Sequence, residues 1–269
     1  MNEFIYNYKS KKLCLVASHK DSASLTIAKE VESLGFNVFY LTDNSHLYCR
    51  KEDLPDSDFY IIMSRHTSST ATPAITVHSV GNFSSDEPKF GGLPSSLSYT
   101  DADLQSELLR CISYEKTNKS EFKKFDVVAE VTHHGPFLNT PLVYIEMGSS
   151  PDVWNNSRCG NILASAIVNL VSNKYPQNYK QVEKTGIAFG GPHYAYKFTK
   201  LILNEEYNIG HIAAKYSLLS LNHDTIKQMI DKTLSKNKIE YAILEKKGMK
   251  RKQEIKNLLH EMNLEIIQI

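Results

Sequence analysis

Short apolar runs that alternate with helical patterns extend through most of this sequence, and this alternation restricts the fold more than any other feature. Residues 13–17, 59–63 and 142–146 are apolar runs typical of buried strands, whereas residues 21–34 repeat apolar side chains at helical spacing. Strands that are separated by helices form mainly parallel sheets that are covered by helices on both faces. The sequence therefore predicts the α/β fold class.

The chain of 269 residues is long enough for one large domain or two small ones. We expect a single domain over residues 1–269, with residues 115–124 as the best candidate for a linker if the chain divides. Residues 81–100, rich in Gly, Pro and Ser, are the one extended irregular stretch. Loops of that length in a compact domain are usually functional or mobile.

The overall charge points to no particular class of partner. The chain has 31 basic and 30 acidic residues, for a net charge of +1, so a polyanion would have to meet a local basic patch. The four cysteines form no CxxC pair, which is typical of reduced core residues. The sequence shows neither the apolar segment of a signal peptide nor an 18-residue apolar run. We therefore expect a cytoplasmic protein with no membrane contact.

Polar side chains with catalytic potential stand at or near the ends of several predicted strands. Parallel sheets bind ligands where the carboxyl ends of their strands gather, so we expect these side chains to lie close together. They are Arg65, His66, His78, His133, His134, Glu146 and His193.

Two of these histidines, His133 and His134, are adjacent and stand directly before Gly135-Pro136. Adjacent side chains of an extended chain point in opposite directions. Both imidazoles can therefore serve one site only if the backbone turns there, and a Gly-Pro pair is typical of such a turn. The stretch 190–193, Gly-Gly-Pro-His, presents another histidine in a similar way.

Histidines and a carboxylate from separate strands are the ligand types of a catalytic zinc site, in which one coordination position stays open for water. The candidate metal ligands are His78, His133, His134, Glu146 and His193. The candidate catalytic residues are Arg65, His66, His133, His134 and Glu146. A metal-free alternative has one histidine as the general base, with Arg65 and backbone N–H groups as the oxyanion site. The absence of GxSxG, GxxxxGK[ST] and GxGxxG motifs makes a serine hydrolase or a common phosphate-binding loop unexpected.

Five tracts occur in a fixed order along nearly the whole chain. They are Ser64-Arg65-His66, Thr76-Val77-His78 with Gly81-Asn82-Phe83, residues 131–136 (VTHHGP), residues 146–150 (EMGSS) followed by Trp154, and residues 190–195 (GGPHYA). Together they resemble the archaeal- and plant-type D-aminoacyl-tRNA deacylases. The resemblance implies a zinc-dependent esterase, with one or two zinc ions, that frees D-amino acids from mischarged tRNA in translational proofreading.

The same resemblance implies a three-layer α/β/α fold of the phosphorylase/hydrolase-like group, with a mainly parallel sheet. The partners that it implies are the acceptor end of D-aminoacyl-tRNA and the D-amino acid that the tRNA carries. We expect the protein to be a monomer.

Residues 245–252, EKKGMKRK, contain a run of basic side chains that is the candidate tRNA-binding surface. Its members are Lys246, Lys247, Lys250, Arg251 and Lys252. Cations at the beginning of a predicted helix, here residues 250–262, oppose the helix dipole. This placement favours phosphate contact over the alternative of a solvated helix face.

Other functions remain open from the residues alone. A zinc-dependent exopeptidase or amidohydrolase acting on a small molecule could use the same histidines and glutamate. A non-catalytic RNA-binding module would need basic and aromatic side chains but has no use for histidines gathered at strand ends. A phosphorylase is suggested by fold analogy alone, and a fold does not fix a function.

Overall fold

The computed structural model describes residues 4–42, 45–68, 71–117, 119–174 and 180–269. The helices are α1 (Ser22–Ser33), α2 (Ala102–Thr117), α3 (Pro151–Trp154), α4 (Ser157–Val171), α5 (Tyr196–Leu203), α6 (His223–Asp231) and α7 (Lys252–Glu261). The strands are β1 (Ile5–Tyr8), β2 (Lys11–Ser18), β3 (Phe39–Leu41), β4 (Phe59–Arg65), β5 (Ala74–His78), β6 (Gly81–Asn82), β7 (Ser96–Leu97), β8 (Thr100–Asp101), β9 (Asp126–Ala129), β10 (Leu142–Gly148), β11 (Thr185–Phe189), β12 (Asn208–Ala213), β13 (Thr233–Leu234), β14 (Ile239–Leu244) and β15 (Glu265–Gln268). None of the described helices has the length and apolar character that crossing a bilayer requires.

A mixed sheet of seven strands forms the main layer, in the order β1-β2-β4-β10-β5-β9, with β3 paired to β2. Strands β2, β3, β4 and β10 run parallel, whereas β5 and β9 are parallel to each other and antiparallel to β10. Glu146 on β10 therefore lies opposite Ser64 on one side and Thr76 on the other. The reversal at β5 decides where the functional side chains meet.

Helices α1, α2 and α4 contribute to the largest apolar core, which they share with the main sheet. Helix α1 begins after Asp21, whose carboxylate accepts a hydrogen bond from the N–H of Ser24 at 2.9 Å. This bond satisfies one of the amides that the first turn of a helix leaves free. Ile27 of α1 and Ile162 of α4 are fully buried. The helices and the mainly parallel central sheet confirm the predicted α/β class and are consistent with a three-layer arrangement.

A second, wholly parallel sheet has the order β12-β11-β14-β15. The sequence prediction missed β12, because Asn208 and His211 interrupt its apolar pattern although all six of its residues are buried. The Asn208 amide is held by the carboxylate of Asp103 at 2.6 Å, and His211 contacts the carbonyl oxygen of Ser98 at 3.1 Å. Buried polar side chains of this kind are tolerated in a strand because each has a hydrogen-bond partner.

The helix predicted over residues 250–262 is shorter, because Arg251 has a φ of 53° and cannot join it. The guanidinium of Arg251 donates to the carbonyl oxygens of Leu218, Leu219 and Leu221 at 2.6–3.2 Å. Arg251 thus ties the start of α7 to the turn that precedes α6.

The candidate linker at residues 115–124 contains the end of α2 and a 3₁₀ turn at Ser120–Phe122. Phe122 is buried in the core of the main sheet. The segment is therefore packed where it is described, and the single domain over residues 1–269 stays a prediction.

Candidate active site

Seven side chains converge where strands of the main sheet meet the loop after β11. We call them the histidine–glutamate cluster: His66, His78, Glu130, His133, His134, Glu146 and His193. His66 follows β4, and His78 ends β5. Because β5 runs antiparallel to β10, His78 lies opposite Tyr144 on β10 and faces the buried part of that strand.

The backbone turns at His134, which has a φ of 40° in the left-handed region. The His133 and His134 rings therefore approach each other, with centroids 4.4 Å apart. A Cβ on Gly135 would lie 2.3 Å from the backbone nitrogen of Gly92, so the turn packs directly against the loop at 81–100. The Gly135 N–H also donates to the carbonyl oxygen of Phe90 at 2.9 Å.

His66 is held in place through its backbone by the end of β10. Its N–H donates to the carbonyl oxygen of Met147 at 3.1 Å, and its own carbonyl accepts from the Trp154 indole N–H at 2.9 Å. A Cβ on Gly148 would lie 2.5 Å from that carbonyl oxygen, so a glycine is required for this close approach.

The loop that carries His193 is hydrogen-bonded to the chain that continues from β9. The Val131 N–H donates to the His193 carbonyl at 3.2 Å, and the Ala195 N–H donates to the Ala129 carbonyl at 2.9 Å. These bonds join the second sheet to the main sheet. They also place Nε2 of His193 2.8 Å from Oε2 of Glu130.

Glu130 is fully buried and contacts three histidines of the cluster, two of them at 2.8 Å. Its Oε1 lies 2.8 Å from Nδ1 of His66. Its Oε2 lies 3.5 Å from Nε2 of His133, in addition to the contact with His193. Glu130 therefore joins the histidine that follows β4 to those of two loops.

Glu146, the second buried carboxylate, faces the histidines of the cluster interior. Its Oε1 lies 3.7 Å from Nε2 of His78 and 4.0 Å from Nε2 of His134. Its Oε2 lies 3.4 Å from Nδ1 of His66. The cluster thus contains two carboxylates, each surrounded by imidazole nitrogens.

The histidine ring nitrogens that face away from the cluster contact oxygen atoms. Nδ1 of His78, His133 and His134 lies near a backbone carbonyl oxygen, which can only accept a hydrogen bond. The acceptors are the carbonyls of Ser79, Val131 and Gly135, at 3.0, 2.8 and 2.6 Å respectively. Because Nδ1 must carry the proton, Nε2 of each ring presents a lone pair to the cluster when the ring is neutral. Burial favours the neutral form of His78, but the Glu146 carboxylate outweighs burial and raises the pKa of His78.

Two tyrosines contact the other histidines. The Tyr194 hydroxyl lies 2.7 Å from Nε2 of His66, and the Tyr216 hydroxyl lies 3.3 Å from Nδ1 of His193. Hydrogen bonds to the outer nitrogen are how proteins orient metal-binding histidines.

The inward-facing atoms fit a metal ion. Among the described residues, no hydrogen bond of ordinary geometry reaches His78 Nε2 or either oxygen of Glu130. Lone pairs that face buried carboxylates repel them unless a cation or a proton lies between. Three groups of side chains also bring their ligand atoms within 4.8 Å of one another. They are His78–His133–His134, His66–Glu130–His193 and His78–Glu130–Glu146.

The histidines of the cluster differ in the direction of their pKa shifts. Burial alone would lower the pKa of His66, but the facing carboxylates of Glu130 and Glu146 outweigh burial and raise it to about 11. Burial, reinforced by the neighbouring His78, lowers the pKa of His134 to about 4. Burial likewise holds the pKa of His133 well below its usual value. His133 and His134 are therefore neutral near pH 7, which is the form that binds metals.

Both carboxylates remain ionised despite their burial. Desolvation alone would raise the pKa of Glu130, but the close imidazoles of His193 and His66 keep it well below its usual value. The pKa of Glu146 is lowered against desolvation by His66 and His78.

The other predicted catalytic residue, Arg65, lies beside the cluster rather than within it. Its side chain is exposed, with the guanidinium carbon 5.6 Å from the Trp154 ring centroid. Its backbone N–H donates to Asp21 at 3.0 Å. Among the described residues, no ion pair joins Arg65 to a carboxylate.

Sequence reasoning missed Glu130 as a site residue and gave Tyr194 and Tyr216 no role. Glu130 lies in the mainly apolar run over residues 125–131, directly before the two histidines. A carboxylate inside such a run, three residues before His133, was the available signal, because an unpaired charge is rarely buried. Nothing in the local sequence marks Tyr216.

Some side chains of the basic run are held by hydrogen bonds within the protein, and others are exposed and can contact a ligand. Arg251 makes the contacts described above, and the Lys252 amine donates to the Lys246 carbonyl at 3.3 Å. Lys246, Lys247 and Lys250 are exposed. No described residue forms an ion pair with the side-chain amines of Lys246 and Lys247.

Comparisons with known proteins agree on one family. The family model for D-aminoacyl-tRNA deacylase matches residues 54–267. A D-aminoacyl-tRNA deacylase of Methanocaldococcus jannaschii is 38% identical over 241 residues, which are 88% of this chain and 91% of the relative. The enzymes of that name from Methanococcus maripaludis strain C7 and Ignicoccus hospitalis are 34% and 33% identical, over 87% and 80% of this chain and 89% and 86% of their own lengths.

A solved structure shares the fold. The crystal structure of AF0625, described as a conserved protein of unknown function, matches with a TM-score of 0.82 and 22% sequence identity. The match covers 95% of this chain and 94% of that chain. The similarity supports the α/β architecture over nearly the whole chain.

Proposed function

The chain belongs to the D-aminoacyl-tRNA deacylase family, and from this premise we propose that the histidine–glutamate cluster hydrolyses the ester bond of D-aminoacyl-tRNA. The products are a free D-amino acid and tRNA. The observation that carries the proposal is the convergence of five histidines on two buried, ionised carboxylates. A small-molecule hydrolase could use such a cluster, but the relatives carry the name of a tRNA deacylase over most of the chain.

We assign zinc binding to His78, His133, His134 and Glu146. The three histidines present ligand atoms to one another, and their outer nitrogens donate to carbonyl oxygens. Neutral imidazole and carboxylate are the ligand types that zinc prefers, and a catalytic site keeps a position open. When bound, zinc would polarise the ester carbonyl and lower the pKa of water toward about 7.

The acid–base work falls to His66, Glu130 and His193. Of the cluster histidines, His193 and His133 are the most exposed, at 40% and 24% of their side chains, so the ester enters from their side. Glu130 contacts both and accepts a proton from the attacking water. The water oxygen bonds to the carbonyl carbon, the bond between that carbon and the ribose oxygen breaks, and His193 passes the proton from Glu130 to the ribose oxygen.

The remaining sequence predictions have a place in this scheme. His66, held by Tyr194, keeps Glu130 ionised and oriented. Arg65, predicted as an oxyanion partner, is exposed beside Trp154 and would have to swing toward the substrate to serve. A second zinc ion held by the His66, Glu130 and His193 group is the alternative use of those three ligands.

Replacing His133 or His134 by alanine is expected to reduce hydrolysis of D-aminoacyl-tRNA by at least about a hundredfold, because each removes a metal ligand or a positioned imidazole. The measurements are single-turnover hydrolysis and zinc content on the same preparations. His223→Ala, which removes an exposed histidine on α6, is the matched control and should retain both. Folded variants of both histidines with wild-type rates would show that the site lies elsewhere.

The basic run is the proposed contact with tRNA phosphates. Replacing both Lys246 and Lys247 by glutamine should flatten the slope of log K against log salt by about two units, since each lost phosphate contact removes about one. Uncharged tRNA and tRNA that carries either enantiomer should be affected alike, because phosphate contacts do not read the amino acid.

The matched control for this pair is Lys123→Gln with Lys124→Gln, two adjacent exposed lysines just before β9 begins. Filter binding over a salt series measures each slope. Equal slopes for the two double variants would show that residues 246 and 247 are simply solvated. The cytoplasmic location and the monomeric state stay predictions.

A further inference from the structure

A groove of about 460 Å³ opens beside His193, at the carboxyl ends of the strands of the second sheet. Gly191 and Pro192, which follow β11, line one part of it. The other lining residues are Lys215 and Tyr216, which follow β12, and Glu245, Gly248 and Lys250, which follow β14. Crevices at the carboxyl ends of parallel strands are common ligand sites, and the volume is within the range of small-molecule pockets.

Tyr216 connects this groove to the histidine–glutamate cluster. Its hydroxyl reaches His193, while 60% of the residue is exposed. An aromatic ring that is exposed at the rim of an active site offers a flat apolar face to a ligand. Unpaired nucleobases bind to proteins by stacking on such faces.

The groove also carries positive charge on two walls. The Lys215 amine lies against Gly248, where a Cβ would come within 2.0 Å of it, and Lys250 lines the same groove. The acidic lining residue, Glu245, is paired with Lys197 at 2.9 Å. The lysines on the two walls therefore favour a ligand with negative charge.

We propose that the groove binds the unpaired nucleotides at the 3′ end of tRNA, with the terminal base stacked on Tyr216 and backbone phosphates near Lys215 and Lys250. The inference rests on the proposed function, because the ester joins the amino acid to the terminal ribose. A base on Tyr216 would hold that ribose beside His193, which donates the proton to the ribose oxygen. An amino-acid side chain in the groove would leave the two lysines without a phosphate.

The test is a double-mutant cycle between the tyrosine and the base. Binding is measured with two probes, uncharged tRNA with its terminal adenosine and the same tRNA ending in an abasic ribose. The wild-type protein should lose at least about fivefold in affinity when the base is removed, the lower end of the usual effect of one stacked base. The Tyr216→Ala protein should lose less than about twofold, because the stacking partner is already missing.

Two further variants separate stacking from other roles of Tyr216. Tyr216→Phe keeps the ring without the hydroxyl and should keep the full effect of the base. Tyr216→Leu keeps apolar volume without an aromatic face and serves in place of alanine if Tyr216→Ala unfolds. Tyr114→Ala, which removes another exposed tyrosine, is the matched control and should behave as wild type.

Additive losses in the cycle would overturn the inference, as would loss of the base effect in Tyr216→Phe. Additive losses in a protein that still hydrolyses D-aminoacyl-tRNA at the wild-type rate would contradict only the proposed role of the groove. The proposed function would stand. Binding without any hydrolysis by zinc-loaded protein would contradict the proposed function, while the cycle would still decide the occupant of the groove.

Discussion

Replacing Glu130 by glutamine is expected to lower the rate of D-aminoacyl-tRNA hydrolysis by about a thousandfold while zinc stays bound. The substitution keeps the shape of a fully buried side chain but removes the charge that faces His66, His133 and His193. An amide cannot take a proton from water, and losses of about a hundredfold to ten-thousandfold are usual for a positioned acid–base group. Single-turnover kinetics and zinc analysis on the same sample measure the two quantities.

The control for this variant is Asp103→Asn, which neutralises another buried carboxylate. Asp103 holds the Asn208 amide at 2.6 Å and the Lys236 N–H at 2.7 Å, on α2 and away from the cluster. This control should lower thermal stability and leave the hydrolysis rate per folded molecule near that of wild type. Loss of zinc from Glu130→Gln would make Glu130 a metal ligand, and an unchanged rate would contradict its role as the base.

Removal of the metal is expected to lower hydrolysis by more than about a thousandfold, since a Lewis acid supplies several kcal/mol of transition-state stabilisation and each 1.36 kcal/mol is tenfold in rate. Zinc should restore the rate, whereas magnesium alone should not, because magnesium prefers six oxygen ligands. The protein is treated with a chelator, dialysed free of it, and assayed at constant magnesium so that the tRNA itself stays folded.

The His133→Ala protein provides the internal comparison for metal removal. If His133 is a ligand, chelation should change the residual rate of this variant far less than it changes the wild-type rate. Full activity in wild-type protein with no bound metal would favour the metal-free alternative, in which a histidine acts as the base and Arg65 as the oxyanion partner.

Most of the cluster was predictable from the sequence because its members stand at or near strand ends. His66 follows β4, and Glu146 lies within two residues of the end of β10. Each position could be read from an apolar run and the polar residue at its end. The gathering of these ends was a general expectation for parallel sheets, and it holds for the β4–β10 pair.

The direction of β5 could not be read from its residues. Hydrophobic pattern gives the presence of a strand and its buried face, but the strand direction depends on which neighbour it pairs with. The antiparallel pairing with β10 places Thr76 opposite Glu146 and brings His78 alongside the carboxylates. The role of Glu130 was only partly readable, because His66 and His193, two of its three histidine partners, are distant in sequence.

Local backbone conformation also limited what could be predicted from the sequence. The beginning of α7 was predicted two residues early because the left-handed backbone of Arg251 is stabilised by carbonyl oxygens about thirty residues away. In the described part of the chain, the side chains of Lys246 and Lys247 have no such partners, and composition alone could not separate these lysines from Arg251.

The hydrogen bonds between the His193 loop and residues 129–131 have a consequence for biosynthesis. His66 and His193 are 127 residues apart (193 − 66), and the strand that carries the His193 loop lies between β12 and β14, both translated later. A nascent chain whose main sheet has already formed would hold Glu130 without its His193 partner. The histidine–glutamate cluster of a nascent chain is therefore incomplete until the His193 loop has been translated and has bonded to residues 129–131, so the site is assembled from parts of the chain that are made at different times.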